Sequence, residues 1–171
     1  MEGLTQRPGA AGDTDDVLLA ASARERARTV STLERVALGA VASCAVAAAV
    51  ALFAFPGAAI REPPEALRAA GTAIPFLAMI LILAASRLRG VMLRAAARLA
   101  RLSSAAGSEL AAAYRRVILI DLALLELVAW LGVAMVPLTG SVRYALVLIV
   151  AAAVGMAVRW PRLSELEYLA R

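Results

Sequence analysis

The sequence predicts an all-α, polytopic membrane protein, a bundle of four transmembrane helices with amphipathic cytoplasmic helices. The chain of 171 residues is 62% hydrophobic and 18% charged, whereas soluble domains have about 45–50% apolar and about 25% charged residues. Its mean hydropathy is +0.79. Four stretches have the length and low charge of membrane spans, at residues 36–55, 70–86, 117–138 and 142–160.

The first two predicted spans form a hairpin. Residues 36–55 carry no charge and are followed by Pro56 and Gly57. At about 1.5 Å per residue, this stretch is long enough to cross a hydrocarbon core of about 30 Å. The second span, 70–86, contains Pro75, where we expect a mild kink.

The third span, 117–138, inserts despite its two acidic residues, Asp121 and Glu126. A central carboxylate costs about 3 kcal/mol on an insertion scale, and each of the thirteen Leu, Ile and Val residues in the segment contributes roughly 0.3–0.6 kcal/mol in favour. The fourth span is short, with fifteen residues between Arg143 and Arg159. Both arginines can extend to the interface, where Tyr144 and Trp160 are predicted anchors.

The charge distribution predicts the orientation of the chain. The loop 87–116 contains seven arginines and one acid, Glu109, and positively charged loops are retained in the cytoplasm. Residues 1–35 are then a cytoplasmic tail, disordered through residue 13 and continued by an amphipathic helix. Residues 161–171 are a cytoplasmic C-terminal tail. The predicted location is the inner (plasma) membrane, with both termini inside.

Within the loop, four arginines lie at helical spacing on one side, and apolar residues recur on the other. The second span therefore continues as an amphipathic helix, and residues 103–108 form a turn before a second helix. One interpretation is contact with anionic lipid or with a partner protein; the other is a basic retention loop. The four residues are Arg87, Arg94, Arg98 and Arg101.

The composition argues against an enzyme. All 18 basic residues are arginine, and the chain has no Lys, His or Asn and one cysteine, Cys44. The usual general bases and imidazole metal ligands are therefore missing. We expect no catalytic residue, metal or other cofactor. Nucleic-acid binding is not expected, because the excess charge flanks apolar spans. The expected partners are the lipid bilayer and other membrane proteins or a second copy of the chain.

A stripe of small residues in the first span predicts close helix packing. Gly39, Ser43, Ala47 and Ala51 follow one another at i+4 positions, and small residues let helix backbones approach in lipid. The stripe is interpreted either as a dimerisation face or as packing within the bundle.

The apolar composition of the third span does not explain the presence of Glu126. It lies ten residues beyond Arg116, about 15 Å along the helix, which places it near the middle of the bilayer. Asp121 is nearer the interface, within possible reach of Arg115 or Arg116. The two acids are five residues apart, about 140° around the helix, so they do not form a paired site.

The residues from Leu125 to Tyr144, with Trp160-Pro161-Arg162, resemble the second half of small four-span proteins of bacterial inner membranes. This resemblance implies the fold and no activity. A hairpin with a mid-membrane Glu also resembles the proteolipid ring subunits of rotary ATPases. Here, however, the acid lies on the first helix of its hairpin, the termini are predicted inside, and the stripe is alanine-rich.

The functional expectation is a non-enzymatic accessory, assembly or interaction subunit acting through helix packing and the basic loop. The alternative is binding or translocation of protons or cations through Glu126.

Overall fold

The computed structural model describes residues 10–55, 65–100 and 106–170, and the elements in this part of the chain are α-helices. The all-α prediction is therefore confirmed. The helices are α1 (Ala10–Phe53), α2 (Glu65–Ala100), α3 (Ala106–Thr139), α4 (Val142–Val158) and α5 (Leu163–Ala170).

Three of these helices contain segments long and apolar enough to cross a membrane, namely Ala23–Phe53, Gly71–Arg98 and Ser108–Thr139. The chain is thus a membrane-embedded, multi-pass protein. α4 is also apolar, but its 17 residues extend only about 25 Å.

Contacts between residues far apart in sequence define the directions of the helices. Arg89 contacts Asp121, and a Cβ added at Gly71 would meet Thr139, so α2 and α3 are antiparallel. α3 and α4 are antiparallel through contacts of Leu125 with Gly155 and of Gly132 with Ala145. α1 runs parallel to α3, because Thr29 and Ala112 line one cavity and Ser43 contacts Glu126 farther along both helices. Helix α3 is central, because it contacts all the other helices, whereas α1 and α2 do not contact each other in the described residues.

The core-facing stripe of α1 consists largely of small side chains. Its buried positions alternate in steps of three and four residues, the pattern of helices that cross at a shallow angle. Alanine and cysteine at these positions allow the backbone of α1 to lie close to α3 and α4. The buried residues are Val30, Leu33, Ala37, Ala40, Cys44, Ala47 and Ala51.

Two other helix contacts depend on glycine. A Cβ on Gly132 would lie 2.8 Å from the carbonyl oxygen of Ala145, and one on Gly71 would lie 2.6 Å from Cγ2 of Thr139. Gly140 ends α3 with a φ of 66°, a conformation that glycine adopts without steric cost, and its N–H donates to the carbonyl of Val136 at 2.9 Å. Gly140 and Ser141 alone connect α3 to α4.

Several predicted boundaries differ from the structure. Residues 10–13, predicted as disordered, begin α1; their alanines favour helix, and acidic residues near a helix N-terminus interact well with the helix dipole. Residues 106–108, predicted as part of a turn, begin α3. The predicted C-terminal tail contains α5, which contacts α1, α2 and α3.

As predicted, α2 continues past the second span, to Ala100, and Pro75 lies inside it. The predicted first span, 36–55, lies within the described residues, and Pro56 and Gly57, which were predicted to end it, lie outside them.

Candidate functional site

A cluster of charged side chains joins α2, α3, α4 and α5. At its centre is Asp121, which is only 3% exposed. Nη1 of Arg159 donates to Oδ1 of Asp121 at 2.7 Å, and Nη1 of Arg89 donates to Oδ2 at 3.3 Å. Both oxygens of the buried carboxylate therefore have a cationic partner. We call Arg89, Asp121, Arg159 and Glu165 the charge cluster.

Arg89 also connects Asp121 to α5 and to the end of α4. Its Nη2 donates to Oε2 of Glu165 at 2.6 Å, and its Nη1 donates to the carbonyl oxygen of Arg159 at 2.9 Å. A cation at this position satisfies a carbonyl at the C-terminus of α4 and interacts favourably with the helix dipole. The guanidinium group of Arg89 on α2 thus contacts three other helices.

Neutral groups complete the hydrogen bonds of the charge cluster. The hydroxyl of Tyr114 donates to Oε2 of Glu165 at 3.0 Å and accepts from the N–H of Arg162 at 3.3 Å. Nη2 of Arg159 donates to Oγ of Ser86 at 2.5 Å and to the carbonyl oxygen of Ile82 at 3.3 Å. Two arginines balance two carboxylates, so the cluster has no formal net charge. Such balance is required where charges are removed from water.

The predicted pairing of Asp121 with Arg115 or Arg116 is wrong. Both arginines are exposed, and the partners of Asp121 come from α2 and from the end of α4. Residues five and six positions apart do not face each other on a helix, where contacts occur at three and four positions. Arg159 turns into the cluster, although we expected it to extend to the interface.

The sequence analysis did not predict three residues of this site, namely Arg89, Glu165 and Tyr114. Arg89 was counted only as one of the seven loop arginines. One signal was available: Arg89 lies four residues from both Ala85 and Leu93, which are buried, so it occupies the apolar face of α2. An arginine on the apolar face of one helix and an acid within another indicate an ion pair.

Glu126 faces a different helix. Oγ of Ser43 on α1 donates to Oε1 of Glu126 at 2.7 Å, and both residues are partly buried. Asp121 and Glu126 therefore contact different helices. Ser43 was predicted as part of the small-residue stripe and Glu126 as an intramembrane acid. The hydrogen bond between them brings these two predicted features together.

The predicted small-residue stripe contacts other helices only in part. Ala47 and Ala51 are buried and Ser43 reaches Glu126, but nothing lies within 4 Å of a Cβ built on Gly39. Within the described residues, Gly39 therefore lies away from the other helices. The reason is geometric, because successive i+4 positions advance about 40° around a helix, and the stripe rotates from the exposed side into the core.

The predicted lipid or partner contacts lie on the outer side of α2. Arg87, Arg94 and Arg98 are exposed, and Nε of Arg94 donates to the carbonyl oxygen of Gly90 at 2.8 Å. None of the three forms an ion pair within the described residues. Arg101 lies outside the described residues.

In the part of the chain that the structure describes, no group of three or more His, Cys, Asp or Glu side chains could hold a metal ion. Cys44 is buried, with Sγ 3.9 Å from Sδ of Met156. Comparison with protein-family models, with curated proteins and with solved structures gives no match to this chain.

Proposed function

We propose that the chain is a non-enzymatic inner-membrane protein with four spans and cytoplasmic termini, acting as an accessory or assembly subunit. In this proposal, α4 is the fourth span and helix packing holds the subunit in a larger membrane complex. The arginine row Arg87, Arg94 and Arg98 contacts a partner protein or the anionic membrane surface.

The observation that carries this proposal is the contrast between two sets of arginines. Arg89 and Arg159 are neutralised within the chain, whereas the arginine row is exposed and lacks acidic partners among the described residues. α2 continues from Arg89 to Ala100, about 16 Å farther. The row therefore extends past the end of α4, where it is available to another molecule.

The test is native purification of the full-length protein in mild detergent, followed by quantitative mass spectrometry. We expect Arg87→Gln/Arg94→Gln/Arg98→Gln to lose a co-purifying membrane protein or anionic lipid that the parent retains. Arg143→Gln is the control, because Arg143 is also exposed but lies at the other end of α4. Equal recovery of every component with the triple variant and the control would contradict the proposal.

The alternative function is proton or cation binding at Glu126. Its support is the hydrogen bond from Ser43 at 2.7 Å, which holds the carboxyl group on the α1–α3 boundary while leaving it only partly buried. Intramembrane acids often mark proton and ion pathways. Proton flux into liposomes that contain only this protein, abolished by Glu126→Gln, would favour this alternative; absence of flux would favour the accessory role.

A further inference from the structure

A cavity of about 450 Å³ lies beside the end of α4 and the start of α5. The residues that line it include three arginines and two serines, namely Arg89, Arg159, Arg162, Ser86 and Ser164. Arginine forks and hydroxyl donors are the groups that proteins use to bind phosphate oxygens. The cavity thus has the donors of an oxyanion site.

Some of the charged groups around this cavity already have a partner within the chain, and one does not. Arg89 and Arg159 are held by Asp121, and Glu165, the one carboxylate in the lining, is occupied by Arg89 at 2.6 Å and by Tyr114. The side chain of Arg162 is exposed and forms no ion pair with any described residue. The available charge at the mouth of the cavity is therefore positive.

The position of the cavity along α4 matches the headgroup level of a membrane. This placement rests on the proposed role of α4 as the fourth span. Arg143 and Arg159 lie sixteen residues apart in sequence, about 24 Å along a helix, a few ångströms less than a hydrocarbon core of about 30 Å, so the two ends of the span lie close to the boundaries of the core. Next to the arginines, Val158 is 73% exposed and also lines the cavity, as does Trp160. An apolar wall thus adjoins the donors, with an aromatic residue of the type found at membrane interfaces.

We propose that this cavity binds the phosphate group of an anionic phospholipid, with its acyl chains against Val158. Arg162 and Ser164 supply the accessible donors, whereas Arg89 and Arg159 are balanced by Asp121 and Glu165 and add no net charge. Basic pockets near the ends of transmembrane helices bind lipid headgroups in the same manner. This site is distinct from the arginine row of α2, and it does not depend on a partner protein.

The experiment measures lipid binding to the full-length, delipidated protein by native mass spectrometry. The protein is titrated with dioleoylphosphatidylglycerol or with dioleoylphosphatidylcholine, which share acyl chains and differ in net charge. We expect tighter binding of phosphatidylglycerol to the parent. Arg162→Gln should weaken that binding about tenfold, the effect of losing one charge-assisted hydrogen-bonding group.

The control is Arg143→Gln, which removes an exposed arginine at the opposite end of α4 and should keep the preference. Ser164→Ala is a second variant with an unchanged fold and a smaller expected loss. Equal binding of the two lipids by the parent, or equal losses with Arg162→Gln and Arg143→Gln, would overturn the proposal. Inorganic phosphate is added as a competitor; if it displaces phosphatidylglycerol completely at equal concentration, the ligand is free phosphate and the lipid assignment is wrong.

Discussion

At the residue scale, two carboxyl groups on one helix have different environments. Asp121 is buried and paired with two arginines, whereas Glu126 is partly buried and accepts a hydrogen bond from a neutral serine. Removing a charge from water is costly unless a counter-charge lies beside it, and the two arginines supply that counter-charge to Asp121. Glu126 forms no ion pair with any arginine in the described residues, and its partner is the hydroxyl group of Ser43.

Asp121→Asn should destabilise the protein by about 3 kcal/mol or more, because it leaves the two guanidinium groups without their shared counter-charge. Glu126→Gln is a matched control: it is also a carboxyl-to-amide change on α3, and its amide oxygen can still accept from Ser43. Thermal unfolding in detergent should show a large loss for the first variant and little change for the second. Similar melting temperatures for both would mean that the charge cluster does not stabilise the folded chain.

Ser43→Ala removes the hydroxyl group that donates to Glu126 at 2.7 Å. Hydrogen bonds between helices in membranes contribute about 0.6 kcal/mol on average and at most about 1.7 kcal/mol, so we expect a loss in that range. Unfolding of the single and double variants with Glu126→Ala, which removes the acceptor, would measure the coupling. A loss above about 3 kcal/mol would indicate that Ser43 has another role in the fold.

At the element scale, hydropathy predicted where the helices lie better than how they face one another. The predicted first span ends at residue 55 and α1 ends at Phe53. The facing residues were harder to predict, because an alanine-rich helix offers several small-residue stripes. The predicted stripe starts on the exposed side at Gly39 and enters the helix contact only farther along α1. The close contacts are made by Gly71 and Gly132, whose partners belong to other helices and are not visible in one helix's pattern.

Gly132→Ala should destabilise the packing of α3 against α4, because the new Cβ would lie 2.8 Å from a backbone oxygen of Ala145. Overpacking of this kind typically costs about 1–3 kcal/mol. Gly39→Ala is the matched control, since nothing lies within 4 Å of the corresponding Cβ, and alanine favours helix by about 1 kcal/mol over glycine. Unfolding in detergent should separate the two variants. If Gly39→Ala proves the more damaging change, Gly39 contacts a second protein or another copy of the chain.

At the scale of the whole molecule, the charge cluster fixes the end of α4 and attaches α5 to the other helices. Its interactions join residues 32, 38 and 76 positions apart in sequence. Local periodicity carries no information about such pairs, which is why the helical, multi-pass fold could be predicted from the sequence and the charge cluster could not. The sequence did contain an arginine on the apolar face of one helix and an acid within another span. It did not show how these two helices are rotated relative to each other.

The proposed orientation of the molecule rests on the arginines of the loop 87–116 other than Arg89. Arg89 is neutralised inside the chain, but the loop 87–116 still contains six other arginines and one acid, and the positive-inside rule predicts a cytoplasmic position for such a loop. A cysteine introduced by Ser104→Cys should therefore be protected from a membrane-impermeant maleimide in intact cells and become labelled after permeabilisation. Arg143→Cys, at the exposed start of α4, should be labelled in intact cells. The native Cys44 is 3% exposed and should stay unlabelled in both variants. Labelling of Ser104→Cys from outside, with Arg143→Cys protected, would reverse the topology and place the arginine row on the outer surface.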